Sequence, residues 1–521
     1  MTGQSFVHGA LILVMAGFFN RFLGFVYQIF MIRLIEPEGV GLFNMVYPLY
    51  ILALVLAGAG IPVAVAKLVA EEMARNDLRG AYRVFFTALG WIALTSLCLT
   101  ILIFAGSPFF KTRVFPRPDA YYCFYALSPA IIIVSLCSAF RGFFQGLQQM
   151  TPTAVTQVAE QVVRISAGLI IAYLLLPRGV AYAAAGLSLG VVLGEFTGLV
   201  LILWIFSSRR PQPPLLWTSK PRRSPEKTEA ATIRIFRLAI PVTLTRFLST
   251  ALLSLDALLI PRRLTSSGLS LASATTMYGY LVGIAEPLLF IPSIITIALA
   301  TALVPAMSDA LAQKNLPLVR GRTREAIRLT LLTGLPAATI LLLLPEEFCT
   351  LFFGYGEAAP ALTILAAGGP FLYFQQTTIG ILQGLGRADC PLKNLVVASV
   401  FKITGIYYLT AVPDFNIKGA AFSLVSGYVV MALLNYRDLK KITGLSLDWP
   451  SLLGKPLAAS LGMVAATSQI KDFSAAQAYS AAETLFLSLL GAGITYLGIL
   501  ILTGGLNSHD FNRLKQFFRF R

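Results

Sequence analysis

Four basic residues stand inside the long apolar stretches of this 521-residue chain: Arg21, Arg164, Arg246 and Lys402. A charged side chain near the bilayer centre costs roughly 2.5 to 3.5 kcal/mol even on a lenient insertion scale, so keeping one calls for a cavity, a partner or water. The chemistry such groups offer is the binding of oxyanions. A guanidinium presents a planar fork that can make two hydrogen bonds to a phosphate, and it stays charged when desolvated. Internal similarity pairs the four. "NRFLG" (20–24) matches "TRFLS" (245–249) and aligns Arg21 with Arg246; "FQGLQQMTP" (144–152) matches "LQGLGRADCP" (382–391) and carries Arg164 onto Lys402. Basic residues at matching places in two halves imply a shared wet cavity, with Arg21 and Arg246 gripping phosphate and Arg164, Lys402, Asn20 and Gln28 in support.

Helical spacing gives each of these residues polar company. Gly17, Arg21, Gly24 and Gln28 fall on one face, as do Thr243, Arg246, Thr250 and Ser254, and also Gln157, Glu160, Gln161 and Arg164. The apolar stretches hold four acids as well, Glu160, Glu195, Asp256 and Glu286, so their formal charges cancel. Glu160 and Arg164 stand four apart and could neutralise each other. Glu160, Asp256 and Glu286 are the candidates for coupling to an ion.

The elements that must position these groups are membrane helices. Hydrophobic residues make up 56% of the chain and charged ones 12%, about half the usual charged share, which leaves too little polar surface for a soluble globule of this size. The apolar runs are continuous and long enough to span as helices, whereas barrel strands would alternate over about ten residues. The first run lacks a basic leader and a small-residue cleavage site and reads as a retained span. Fourteen spans are expected: 6–32, 40–66, 83–105, 120–140, 153–176, 181–206, 236–260, 273–303, 327–345, 359–383, 394–412, 417–436, 453–470 and 482–503. Of the 41 Lys and Arg, 28 fall in the loops after even-numbered spans and in the tail, and 9 in those after odd-numbered spans, counting residues at span margins with the loop. That asymmetry places both termini in the cytoplasm. The net charge of +17 then reflects topology and contact with anionic membrane lipids, and requires no nucleic acid.

The expected fold is an all-α polytopic membrane protein with a six-helix bundle over 1–208, a basic Pro-rich cytoplasmic linker over 209–236, a second bundle over 237–440, and two further helices with a basic tail over 441–521. Each repeat holds six spans, an even number, so the bundles are related by an axis along the membrane normal. Prolines and glycines within or just beyond spans, "AGAGIP" (57–62), Pro241, Pro292 and Pro305 among them, permit helix bending. The five cysteines show no paired spacing and read as small buried hydrophobes. His8 and His509 lie near opposite ends, so no metal site or cofactor is implied.

Over "NRFLGFVYQIFMIRLIEPEGVGLFNMVYPLYILALVLAGAGIPVAVAKLVAE" (20–71) and "MYGYLVGIAEPLLFIPSIITIALATALVPAMSDA" (277–310) the chain resembles the polysaccharide-export branch of the multidrug/oligosaccharidyl-lipid/polysaccharide (MOP) exporter superfamily, most closely its stage V sporulation and lipid II flippase-like members. The resemblance implies two six-helix bundles around a central hydrophilic cavity, with the last two helices lining a groove for a lipid tail. It also implies a function: a flippase or exporter that moves an undecaprenyl-pyrophosphate-linked oligosaccharide or peptidoglycan precursor across the bacterial cytoplasmic membrane by alternating access, for polysaccharide or spore cortex synthesis and alongside cell-wall synthesis enzymes. An arginine of such members maps onto Arg21 in "RFLGF" (21–25). Tyr27 and Gln28 occupy positions that are charged in the lipid II type, and "YPLYILAL" (47–54) has no charge, departures that suit the sporulation members better. A cation-coupled drug exporter of the same superfamily and a non-transporting scaffold for cell-wall synthesis are the alternatives. An enzyme would need a carboxylate pair or a histidine base in a sizeable surface loop; the outward loops are short, and no histidine lies near a loop carboxylate cluster.

Overall fold

The computed structural model of the protein describes residues 6–58, 60–208, 228–477 and 479–505. Most of the expected linker, 209–227, and the tail from 506 onward, with His509, lie outside these residues. Every regular element described is helical. In chain order the principal helices are α1 (Phe6–Gly58), α2 (Ile61–Ala74), α3 (Leu78–Ala105), α4 (Ala120–Leu127), α5 (Ala130–Gly146), α6 (Thr151–Leu175), α7 (Val180–Ser208), α8 (Thr228–Ser266), α9 (Leu271–Tyr280), α10 (Glu286–Ala312), α11 (Leu316–Leu343), α12 (Ala359–Gly384), α13 (Asp389–Leu409), α14 (Asn416–Thr443), α15 (Trp449–Ala476) and α16 (Ala481–Leu502).

Among the described residues, eleven helices are long and apolar enough to cross a membrane. One of them is α1, in which two expected spans run together through Glu36, whose φ of 60° and ψ of 168° break the helix just before Pro37, where the proline ring crowds its predecessor out of the helical region. With α1 counted as two, and with α12 and α15, which are not among the eleven, the helices are consistent with fourteen spans. The second expected span does not run unbroken through "AGAGIP": Gly58 takes a φ of 144° and a new helix starts at Ile61 with Pro62 in its first turn, a position where the missing N–H costs nothing.

By its contacts the chain divides into two compact units, Met1–Arg262 with Ser270–Gly279, and Arg263–Leu269 with Tyr280–Arg521. Helix α8, which opens the second repeat in sequence, therefore packs with the first unit through Arg262. Polar ties fasten it along its length: Arg234 bridges Glu72 at 2.9 Å and Glu71 at 3.4 Å, Trp91 Nε1 donates to Thr232 Oγ1 (3.3 Å), and Ser254 Oγ donates to the Pro48 carbonyl (3.0 Å). The first unit's core includes Phe85, Phe140, Phe143 and Phe206, with the Phe85 and Phe143 rings 4.7 Å apart, in the range where tilted aromatic pairs attract.

From α3 through α5, the construction of the first unit recurs in the second 238 residues on. Helices α3 and α11 are both 28 residues long. Asp77 caps the first by accepting from Gly80 N, and Asn315 caps the second by accepting from Leu318 N, each satisfying an amide the helix cannot. A Cβ on Gly142 would lie 2.5 Å from the Pro62 carbonyl oxygen, and one on Gly380 would lie 2.6 Å from that of Ala300. Both repeats therefore need glycine at one helix crossing. Of the cysteines, Cys123, Cys137, Cys349 and Cys390 are buried as expected, but Cys98 is exposed on the same outward apolar face of α3 as Leu94 and Ile101.

Candidate functional site

The first unit contains an open cavity of about 410 Å³, within the range of small-molecule sites. Four stretches of chain build it. Helix α5 presents Ser135, Ser138, Arg141 and Gln145, spaced three or four apart and hence on one face. The end of α1 supplies Ile51, Leu54 and Val55, and the break at Gly58 turns the chain so that Pro62 and Val63 of α2 continue the wall. Gln157 comes from α6 and Arg246 from α8. Among the described residues, the lining thus contains two arginines, amides and hydroxyls, and no acid.

Behind this wall lies a buried ionic network. Arg141 forms an ion pair with Glu160, and its Nε and Nη2 both donate to Thr156 Oγ1 at 3.2 Å. The Glu160 carboxylate also accepts from Cys137 Sγ (3.8 Å). Arg164 pairs with Glu195 of α7. Side-chain exposure is 15% for Arg141 and 7% for Glu160, low enough that either charge alone would be costly. The expected pairing of Glu160 with Arg164 is thus replaced by two pairs between helices, because Arg141 and Glu195 reach in from α5 and α7. Glu160 serves to hold Arg141 against the cavity.

The structure distributes the remaining expected residues unevenly. Arg246 is exposed and lines the cavity. Arg21 is exposed, makes no hydrogen bond or ion pair among the described residues, and is not part of the cavity lining. Gln28 is half-buried, as is Asn20, whose buried Oδ1 has no hydrogen-bond partner among the described residues. Asp256 and Glu286 are half-buried, and neither lines the cavity. Lys402 belongs to the second unit, where its side chain passes Gly427 so closely that a Cβ there would sit 3.3 Å from its own. Arg141, which sequence reading leaves in a loop, is the residue that was missed. Its signal was the apolar pair Phe143 and Phe144 beyond it, which continues α5 to Gly146.

Comparison with known proteins bears on what such a cavity belongs to. A model of the family described as polysaccharide biosynthesis protein matches residues 6–311, more than half of the chain. Stage V sporulation protein B of Bacillus subtilis (strain 168) is 34% identical over 451 residues, covering 86% of each chain. The chain belongs to this polysaccharide biosynthesis family, within the MOP superfamily. A second model, MatE, matches residues 279–408. Lipid II flippase MurJ of B. subtilis is 25% identical to this family member over 459 residues, with 84% of this chain and 83% of that one covered. A solved structure titled lipid II flippase MurJ, inward closed conformation, shares the fold, with a TM-score of 0.70, 14% identity and coverage of 95% and 98% of the two chains. The family member described by these matches is a multi-pass membrane transporter.

Proposed function

We propose that this transporter flips a lipid-linked sugar pyrophosphate, an undecaprenyl-linked oligosaccharide or peptidoglycan precursor, across the bacterial cytoplasmic membrane by alternating access. The observation that carries the reading is the cavity wall, where Arg246 and Arg141 stand among Gln145, Gln157, Ser135 and Ser138 without an acid. Such a wall suits a phosphate with a hydroxyl-rich sugar attached: guanidinium forks take the phosphate oxygens, amides and hydroxyls take the sugar, and the polyprenyl tail stays in lipid. A cationic drug would meet repulsion on the same wall. Exposed Arg21 is assigned to first capture of the headgroup, and Lys402 and Arg164 to support. The excess of basic residues after even-numbered spans supports an orientation with both termini in the cytoplasm, and the likeness to the stage V relative supports a role in spore cortex synthesis.

The test is movement of a fluorescent lipid-linked sugar across proteoliposomes. Arg246→Ala and Arg21→Ala should each abolish translocation while membrane insertion and expression stay near normal. Undiminished transport by both variants would reject the reading, and transport of a small cationic dye by the unaltered protein would favour a drug exporter instead.

A further inference from the structure

The second unit contains a smaller cavity, of about 150 Å³, where α11, α15 and the turn after α16 meet. Arg328 and Lys455 stand over it, Leu332 and Leu452 line its apolar part, and Gly504 and Gly505 form its rim. Among the described residues its lining has two cations and no acid. Helix α16 ends at Leu502, Gly504 takes a φ of 64°, and Gly505 N turns back to donate to the Leu500 carbonyl (2.7 Å). This leaves the Gly504 and Gly505 carbonyls facing the cations: Lys455 Nζ donates to Gly504 O (3.0 Å) and Arg328 Nη2 to Gly505 O (2.8 Å).

Capping a helix end would account for those two hydrogen bonds but not for the space beside them. Arg320 and Arg324, two turns and one turn earlier on the same face of α11, are turned to the carbonyls of Thr443 (2.7 Å) and Ser446 (3.4 Å). At Arg328 the stripe meets the Gly505 carbonyl and the cavity beside it. An ammonium carries three donors, and Gly504 is the one acceptor of Lys455 among the described residues. The cavity's other half is apolar: Leu332 packs on Ala459, Met463, Tyr496 and Leu500, and α15 turns Leu457 and Leu461 outward. Paired cations between helices beside an apolar floor are the pattern of a lipid headgroup seat at the membrane–water boundary.

We propose that this cavity binds the phosphate of an anionic phospholipid from the surrounding leaflet, with Lys455 and Arg328 on the phosphate and the acyl chains along α15. The site is separate from the transport cavity and does not depend on the flippase reading. The leucines flanking it favour a lipid over free phosphate.

The experiment uses the purified full chain in mild detergent, with phosphatidylglycerol, phosphatidylcholine or inorganic phosphate added, and reads the unfolding temperature together with the lipid retained in native mass spectrometry. Phosphatidylglycerol should raise the unfolding temperature and stay bound, while phosphatidylcholine does neither. Lys455→Gln should lower retention by about tenfold, the loss of one charge-assisted hydrogen bond, and Lys455→Arg should keep it. Arg328→Gln serves as a second variant. Equal retention of the two lipids, unchanged retention in Lys455→Gln, or equal stabilisation by inorganic phosphate would each overturn the proposal.

Discussion

The two units repeat one construction but fill it with different polar chemistry. Where the first holds Arg141 and Glu160, the second has Ile379 and Ala398 at the matching positions 238 residues on. Thr156, which receives Arg141, corresponds to Asn394, and Asn394 Nδ2 donates to Asn435 Oδ1 (3.0 Å) and Asp438 Oδ2 (2.9 Å). Asn435 in turn donates to Thr378 Oγ1 (3.3 Å). The second unit thus joins the equivalent helices mainly through amides and hydroxyls. What both units keep are the glycine crossings and the caps. The fold rests on those shared features, and the Arg141–Glu160 pair of the first unit is an addition that sets an arginine beside a cavity.

That contrast can be broken first at what the units share. Gly142→Leu and Gly380→Leu should each prevent accumulation of folded protein, since a side chain at either position meets backbone at 2.5 or 2.6 Å, and size-exclusion of the extracted protein would show aggregation or loss. Recovery of one as a normal peak would mean the crossings are not equivalent. Next, Glu160→Ala alone should cost about 3 to 5 kcal/mol, because it strands the Arg141 charge in a buried site. The double replacement Arg141→Ile with Glu160→Ala copies the second unit's residues, and unfolding should show it within about 1 kcal/mol of the unaltered protein or more stable. The same double variant should fail to flip substrate. Normal transport by it would remove Arg141 from the site and sharpen the case for Arg246 alone. The smallest effect is expected in the second unit, where Lys402→Gln should lower the transport rate by no more than about tenfold, equivalent to 1.4 kcal/mol.

Much of the architecture was legible in sequence because membrane helices are written as long apolar runs, and the matched stretches at 144–152 and 382–391 disclosed the repeat. The site was less so. Arg141 was hidden by a span boundary drawn where hydropathy falls, although a helix can carry charge in its last turns when neighbours supply partners. Arg164 was visible, but Glu195, its partner, lies 31 residues away on α7, and a helical spacing rule finds only neighbours on the same helix. Glycines and a proline in "AGAGIP" (57–62) marked a helix that could bend, but the expected span 40–66 ran through the break at Gly58. The role of that break in shaping the cavity wall was not legible, since that depends on which helix packs across it.

That break has one more effect. A helix restarting at Ile61 leaves amides with no carbonyl a turn behind them, and the Gly60 amide is met by Thr243 Oγ1 of α8 at 3.2 Å. The solvent protection of a single backbone hydrogen therefore depends on whether α8 is seated. Its deuterium uptake would time any departure of the arginine-bearing helix from its berth, without a label and without altering a residue.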